Sequence, residues 1–237
     1  MQGEQTAPRG NNTGRELMHE IRIGEDLREK NEAIAEENRK LLAAHGIVTL
    51  NVMSAPGAGK TSLLVRTIPV LMKRYTIGVI EGDIQTTTDA ERIAALGVPA
   101  YQIETGGVCH LDAAMVHSAI HHLDLDSIDL LFIENVGNLV CPAEFDLGED
   151  ARVMLLSVSE GDDKPNKYPL MFRESRLLLL NKIDLLPYVS FDVAKARRDA
   201  REINPRLDII ELSSTTGAGF ELWIAWIDEF VASARRR

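Results

Sequence analysis

Ile47-Val-Thr-Leu-Asn-Val-Met53, then Ser54-Ala-Pro-Gly-Ala-Gly-Lys-Thr61, then Ser62-Leu-Leu-Val-Arg66 decide how this chain folds. An apolar run, a glycine-rich turn and a helical pattern in that order are the strand–loop–helix setting of a P-loop. Gly57, Ala58 and Gly59 let the backbone turn its N–H groups inward, and the helix N-terminus adds positive dipole for a phosphate chain. Lys60 is expected to reach the β- and γ-phosphates and the Thr61 hydroxyl to hold Mg²⁺, with Ser62 completing the cradle. Ser54 stands where the general pattern has its first glycine.

A second motif, Asn181-Lys-Ile-Asp184, follows the apolar run Leu177–Leu180. Guanine presents an N1–H and an amino group side by side, and the Asp184 carboxylate can accept from both. Adenine lacks that donor pair and would leave the carboxylate unpaired. Asn181 is expected on the opposite edge of the base, with the stem of Lys182 over its face. Together the two motifs point to GTP and GDP. Near the C-terminus, Leu212-Ser-Ser-Thr-Thr-Gly217 adds Ser213 and Ser214, the latter offering its N–H to guanine O6.

Between and beyond these motifs, strand and helix patterns alternate. Strands are expected at 47–53, 76–80, 100–103, 129–133, 152–158, 177–180 and 207–210, and helices at 86–96 and 111–123 and after the last two strands. Continuous apolar strands separated by helices predict a mainly parallel α/β sheet covered on both faces, with ligands at the carboxyl ends of its strands. Residues 1–24 read as a flexible tail, 25–46 as a charged N-terminal helix and 47–237 as the nucleotide-binding domain. Leu27, Ile34 and Leu41 form a narrow stripe on that helix. Asn31 and Asn38 interrupt it where a coiled coil wants apolar residues, so the helix packs across the domain edge or serves as a partner-contacting arm.

A net charge of −10 argues against nucleic acid or an anionic membrane as the main partner. No run approaches the ~20 apolar residues of a membrane span, and the N-terminus is too polar for an export signal. The expected location is cytoplasmic, and two cysteines in 237 residues make no disulfide framework.

The other strand ends carry chemistry too. Glu81-Gly-Asp83 places Asp83 where it can approach Mg²⁺ or orient water. Glu134-Asn-Val-Gly137 resembles a DxxG loop with Glu for Asp, Glu134 near the Mg²⁺ and Gly137 offering its N–H to the γ-phosphate. Lys60, Asp83, Glu134 and Gly137 are thus the candidate catalytic set. Both cysteines of the chain lie close to strand ends, in Gly106-Gly-Val-Cys109-His110 and Val136-Gly-Asn-Leu-Val-Cys141. Two thiolates and an imidazole make a soft site suited to Ni²⁺ or Zn²⁺, one ligand short, which a two-fold dimer or an exogenous group can complete. His110, His117 and His121 share a helical face, commonly just a solvated stripe and otherwise extra ligands.

Ser54–Thr61, Glu81-Gly-Asp-Ile-Gln-Thr86, Glu104-Thr-Gly-Gly-Val-Cys-His-Leu-Asp112, Glu134-Asn-Val-Gly-Asn-Leu-Val-Cys-Pro142 and Ser159-Glu-Gly-Asp-Asp-Lys-Pro165 together resemble the hydrogenase nickel-insertion GTPases, of HypB type, within the SIMIBI class of P-loop GTPases. The resemblance runs from about residue 25 to about residue 230. It implies slow GTP hydrolysis, GTP-dependent homodimerisation and nickel delivery to a [NiFe]-hydrogenase large-subunit precursor alongside other maturation proteins. It also implies Ni²⁺ or Zn²⁺ on Cys109, His110 and Cys141 near the dimer interface. Residues 1–46 hold no cysteine and only His19 and His45, so the N-terminal nickel motifs of many relatives are not in this sequence. Nickel is then expected to arrive from a partner. A urease-accessory GTPase would want Cys-Pro-His, whereas Ala143 follows Cys141-Pro142. A GTP-dependent regulatory switch with a structural metal is the third reading.

Overall fold

The computed structural model describes residues 13–83 and 88–236, with side chains from Leu27 onward. Its first helix, α1 (Thr13–Ala44), precedes β1 (Val48–Ser54) and α2 (Lys60–Leu71). β2 (Ile77–Asp83), α3 (Thr88–Ala94), β3 (Ala100–Glu104), α4 (Ala113–Ile120) and β4 (Leu130–Glu134) follow. The second half runs β5 (Ala151–Ser157), α5 (Lys164–Lys167), α6 (Pro169–Glu174), β6 (Leu177–Asn181), α7 (Val193–Ile203), β7 (Asp208–Glu211) and α8 (Phe220–Ala234).

The strands form one seven-stranded sheet in the order β3-β2-β4-β1-β5-β6-β7, parallel at every pairing. The strand alternation assigns each face its own core. Leu50, Val52, Leu130 and Phe132 point towards α2 and α8, where Leu63, Leu64, Trp223 and Ile227 are buried. Ile133 and Leu131 point the other way, towards Val116 and Ile120 of α4 and Leu42 of α1. Met154, Leu178 and Leu180 continue that second face under Phe172 and Ala200. Each valine, leucine, isoleucine, methionine or phenylalanine among them contributes about 1.5–3 kcal/mol by leaving water. β1 lies at the centre, where the chain order reverses direction, so the loop after Ser54 opens at the topological switch point.

Three expectations change. The first helix begins at Thr13, within the stretch read as tail, because the helix-forming run Arg15–Arg22 outweighs Gly24, whose cost is about 1 kcal/mol. Residues 1–12 of that tail, like residues 84–87 at the start of the expected 86–96 helix, lie outside the described residues. α4 is shorter than 111–123: the Asp112 side chain accepts from the Met115 N–H at 2.8 Å and caps it, so His110 stands before the helix rather than on its face. α5 and α6 lack the length for a periodic signal, and Pro165 and Pro169 mark their first turns.

Asn31 and Asn38 fasten α1 to the domain instead of breaking its stripe. Asn38 is fully buried and donates to the carbonyls of Ala113 at 2.9 Å and Leu147 at 3.0 Å. Asn31 donates to Asp146 O and accepts from Ala113 N–H, both at 2.8 Å. No helix among the described residues is long and apolar enough to cross a membrane.

Candidate nucleotide site and metal cluster

A cavity of about 270 Å³ opens at the carboxyl end of β1. Gly57, Gly59, Lys60, Thr61 and Ser62 line one side, Asn181, Lys182 and Ser214 another, and Glu134 the floor. Sequence reading missed Asp89, Arg92 and Thr215 in the same wall. The backbone explains the glycines. Gly59 has φ +107°, and a Cβ there would meet the Asn181 amide at 2.8 Å. At Gly137 a Cβ would meet Pro56 Cα at 2.9 Å, so the Glu134–Gly137 loop rests directly against the P-loop.

The Asn181–Asp184 segment is tied directly to the P-loop. Asn181 donates to Ala58 O at 2.9 Å and accepts from the N–H and hydroxyl of Ser214, both at 3.1 Å. Lys182 donates to Gly57 O at 2.6 Å. Lys182 is also the only non-glycine with positive φ, +62°, among the described residues, a strained conformation of the kind that clusters at ligand sites. Asp184 Oδ1 is buried without a hydrogen-bond partner, an orphan where a donor pair belongs. Ser213, by contrast, is buried and its hydroxyl accepts from Thr216 N–H at 3.0 Å, so it shapes the loop without lining the cavity.

Beneath the phosphate loop lies a carboxylate group that sequence reading only half found. Thr61 Oγ1 donates to Glu134 Oε1 at 2.7 Å. Glu81 and Glu134 are register partners across β2 and β4 and project to the same face. Glu81 Oε2 and Glu134 Oε2 are both buried without partners. Burial, then the neighbouring Glu134, Asp83 and Asp89, push the Glu81 carboxyl up to about 8, while burial raises that of Glu134. Lys60 donates to Ser54 Oγ at 3.2 Å, and burial pulls its ammonium below the ordinary lysine value against the pull of these carboxylates. A hydroxyl and two orphaned carboxylate oxygens are the hard donors a Mg²⁺ ion takes. Asp83, half-buried at the end of β2, stands outside the cavity lining, as do Glu81, Gly137 and Asp184.

Cys109, His110 and Cys141 come together, with ligand atoms all within 4.8 Å of one another. The two sulfurs are 3.2 Å apart and free of a disulfide. The neighbouring Cys109 and burial hold the Cys141 thiol above its ordinary value. His110 stacks on Phe145 at 4.1 Å, and burial lowers its imidazole pKa, favouring the neutral, ligating form. Three ligands of this chemistry suit Ni²⁺ or Zn²⁺ with a position left open. The cluster hangs on the loop after β4. Asn138 donates to Cys109 O at 3.3 Å and accepts from Val140 N–H at 2.9 Å, and Asn135 accepts from Leu111 N–H at 3.2 Å. His117 and His121 do not join it among the described residues.

A glycine-rich P-loop at the carboxyl end of the central strand of a parallel sheet defines a P-loop nucleotide-binding protein. The family model described as CobW/HypB/UreG, nucleotide-binding domain, matches residues 48–211. The hydrogenase maturation factor HypB of Escherichia coli K12 is 53% identical over 211 residues, which cover 89% of this chain and 72% of the relative. HypB from Helicobacter pylori, solved in complex with nickel, superposes with a TM-score of 0.82 at 38% identity, covering 86% of this chain and 96% of that one. The signal recognition particle 54 kDa protein of Aeropyrum pernix, solved with GDP, shares the fold alone: TM-score 0.54 and 10% identity over 71% of this chain and 42% of that one. The chain belongs to the HypB family of hydrogenase maturation factors.

Proposed function

We propose that this protein is a GTP-hydrolysing nickel metallochaperone that supports nickel insertion during [NiFe]-hydrogenase maturation in the cytoplasm. The observation that carries the reading is the attachment of the Cys109–His110–Cys141 cluster, through Asn138, to the loop that supplies Glu134 and Gly137. A group that ligates soft metal is thereby built onto a group that faces nucleotide.

In this reading Lys60 and the P-loop N–H groups neutralise the β- and γ-phosphates, and Asp184 accepts from both guanine donors. Thr61, Glu134 and Glu81 would hold Mg²⁺, with Asp83 close by, and the ion would supply charge neutralisation on the phosphate oxygens. Water attacks the γ-phosphoryl to give GDP and phosphate. Turnover is expected to be slow, since no glutamine stands at the Glu134–Gly137 loop. Nickel is cargo, taken by the two thiolates and neutral His110 with release of protons. Zn²⁺ competes for the same donors.

The open coordination position, and a cluster on loops beside the nucleotide, support a homodimer formed with GTP bound. The expected partners are other hydrogenase maturation proteins and the large-subunit precursor. The test is nickel transfer from the loaded protein to that precursor with GTP and with a non-hydrolysable analogue. Transfer that depends on hydrolysis supports a chaperone. Transfer indifferent to nucleotide, with nickel retained throughout, would leave a switch with a structural metal.

A further inference from the structure

Away from both sites, α4 carries a second pair of metal-capable side chains. His117 Nε2 and His121 Nε2 are 3.2 Å apart, four residues along one helix, with the rings edge to face. Four residues is the helical spacing that stacks side chains on one face. A hydrogen-bond inventory fixes which atom His117 offers. Both Asn38 amide protons are taken by the carbonyls of Ala113 and Leu147, so Asn38 Oδ1 can only accept. His117 Nδ1, 2.7 Å from that oxygen, must therefore carry the proton. In the neutral ring the Nε2 lone pair is then bare and aimed at His121.

We propose that His117 and His121 form a second site for a borderline divalent cation, Ni²⁺ or Zn²⁺, distinct from the cysteine cluster. Metal–imidazole bonds of about 2.0–2.1 Å place two ligating nitrogens about 2.9 Å apart at a right angle and about 3.3 Å apart at a tetrahedral one. The observed 3.2 Å lies inside that range. Asn38, fully buried, is the outer partner that ligating histidines use to fix tautomer and orientation. His121 is exposed and is the C-cap of α4, so water can fill the remaining positions and the helix dipole favours a cation there. The adjacent His122 is engaged elsewhere, stacked on Tyr101 at 4.6 Å. The site begins roughly one helical turn in from the first residue of α4, whose leading segment carries Cys109 and His110.

The test uses the full chain with Cys109→Ser, His110→Ala and Cys141→Ser, which removes the first site and keeps the two questions separate. Titrating this variant with Ni²⁺, free of nucleotide, should give one bound equivalent without sulfur-to-nickel absorption and a rise in Tm with nickel concentration. Adding His121→Ala should weaken binding at least tenfold and abolish the Tm rise, while leaving the metal-free Tm unchanged because the side chain is exposed. Adding His122→Ala instead should change neither. No bound nickel in the triple variant, or undiminished binding after His121→Ala, would overturn the site and leave an imidazole–imidazole hydrogen bond.

Discussion

The nucleotide cavity and the cysteine cluster lie at the same edge of the sheet but are built in opposite ways. The cavity is made of buried strand ends and of the Asn181–Asp184 loop, which is bonded to the P-loop through Asn181 and Lys182. Glu81, Glu134 and Asp184 each keep a buried oxygen without a partner, and of the three Glu134 lines the cavity. The cluster is made of half-buried loop residues whose sulfur and ring-nitrogen atoms face one another. A site assembled in advance should fail outright when one member is lost. A site on loops should instead be tuned by what the loops touch.

The largest effect expected from this contrast is at Asp184. Asp184→Asn should cut the preference for GTP over ATP by roughly 10⁴, the scale of a buried hydrogen-bonding site that loses its match. Without nucleotide the variant should be no less stable than the parent, since Oδ1 has no partner to lose. Competition binding and a melt in parallel check both halves. Undiminished preference for GTP would remove Asp184 from base reading. Lys60→Ala comes next, with turnover falling about 10²–10³-fold as the γ-phosphate loses its buried cation. Steady-state phosphate release measures it.

The places of both residues, each just beyond a strand end, were legible in the sequence because short motifs encode local geometry. The strand positions were legible for a similar reason: buried parallel strands read as apolar runs, and β1, β4 and β6 fall within a residue or so of expectation. What escaped is what depends on register between distant segments. Nothing in the sequence pairs Glu81 with Glu134, yet the β2–β4 alignment does, and it sets two carboxylates side by side on one face. Nor does helical periodicity reveal that Asn31 and Asn38 have carbonyl partners more than seventy residues away. Strand-end position is enough to put Cys109, His110 and Cys141 near one another, and the fold does bring the three together.

Smaller effects sharpen the comparison. At the cluster, Cys141→Ser should weaken nickel about tenfold or more without altering GTP affinity beyond a few-fold, as read by equilibrium dialysis. In the cavity, Glu81 predicts a pH dependence. Its carboxyl is raised from the ordinary 4.5 to about 8, so the fold favours the protonated form. That contribution is complete below the ordinary value and is lost as pH rises through about 8. Without Mg²⁺ and nucleotide, Tm should fall as pH rises across that window. Glu81→Gln should flatten the slope and melt about 5 °C higher than the parent on the alkaline side. A parent whose Tm is level across the window would show that Glu81 ionises freely.

The smallest expected effect joins the two regions. Gly137 lies against Pro56, so a γ-phosphate that draws the Gly137 N–H inward must shift a loop already in contact with the P-loop. Asn138, the next residue, bonds the Cys109 carbonyl and the Val140 N–H, and Cys141 follows directly. Movement of that loop therefore reaches both cysteines through one side chain. Because Asn135 also holds Leu111, much of the cluster shifts with the loop as a unit, which limits how far the ligand geometry can change. The nickel Kd should differ between GDP and GTP-analogue states by only about fivefold, the lower end of ordinary coupling. By reciprocity nickel must shift the ratio of GDP to GTP-analogue affinities by the same factor. Asn138→Ala keeps every proposed ligand and every nucleotide contact, yet it should bring the two nickel affinities together. Titrations at fixed pH and protein concentration decide the matter. Equal nickel affinity in both nucleotide states of the parent would separate the two regions altogether, and a difference that survives Asn138→Ala would move the connection to Asn135.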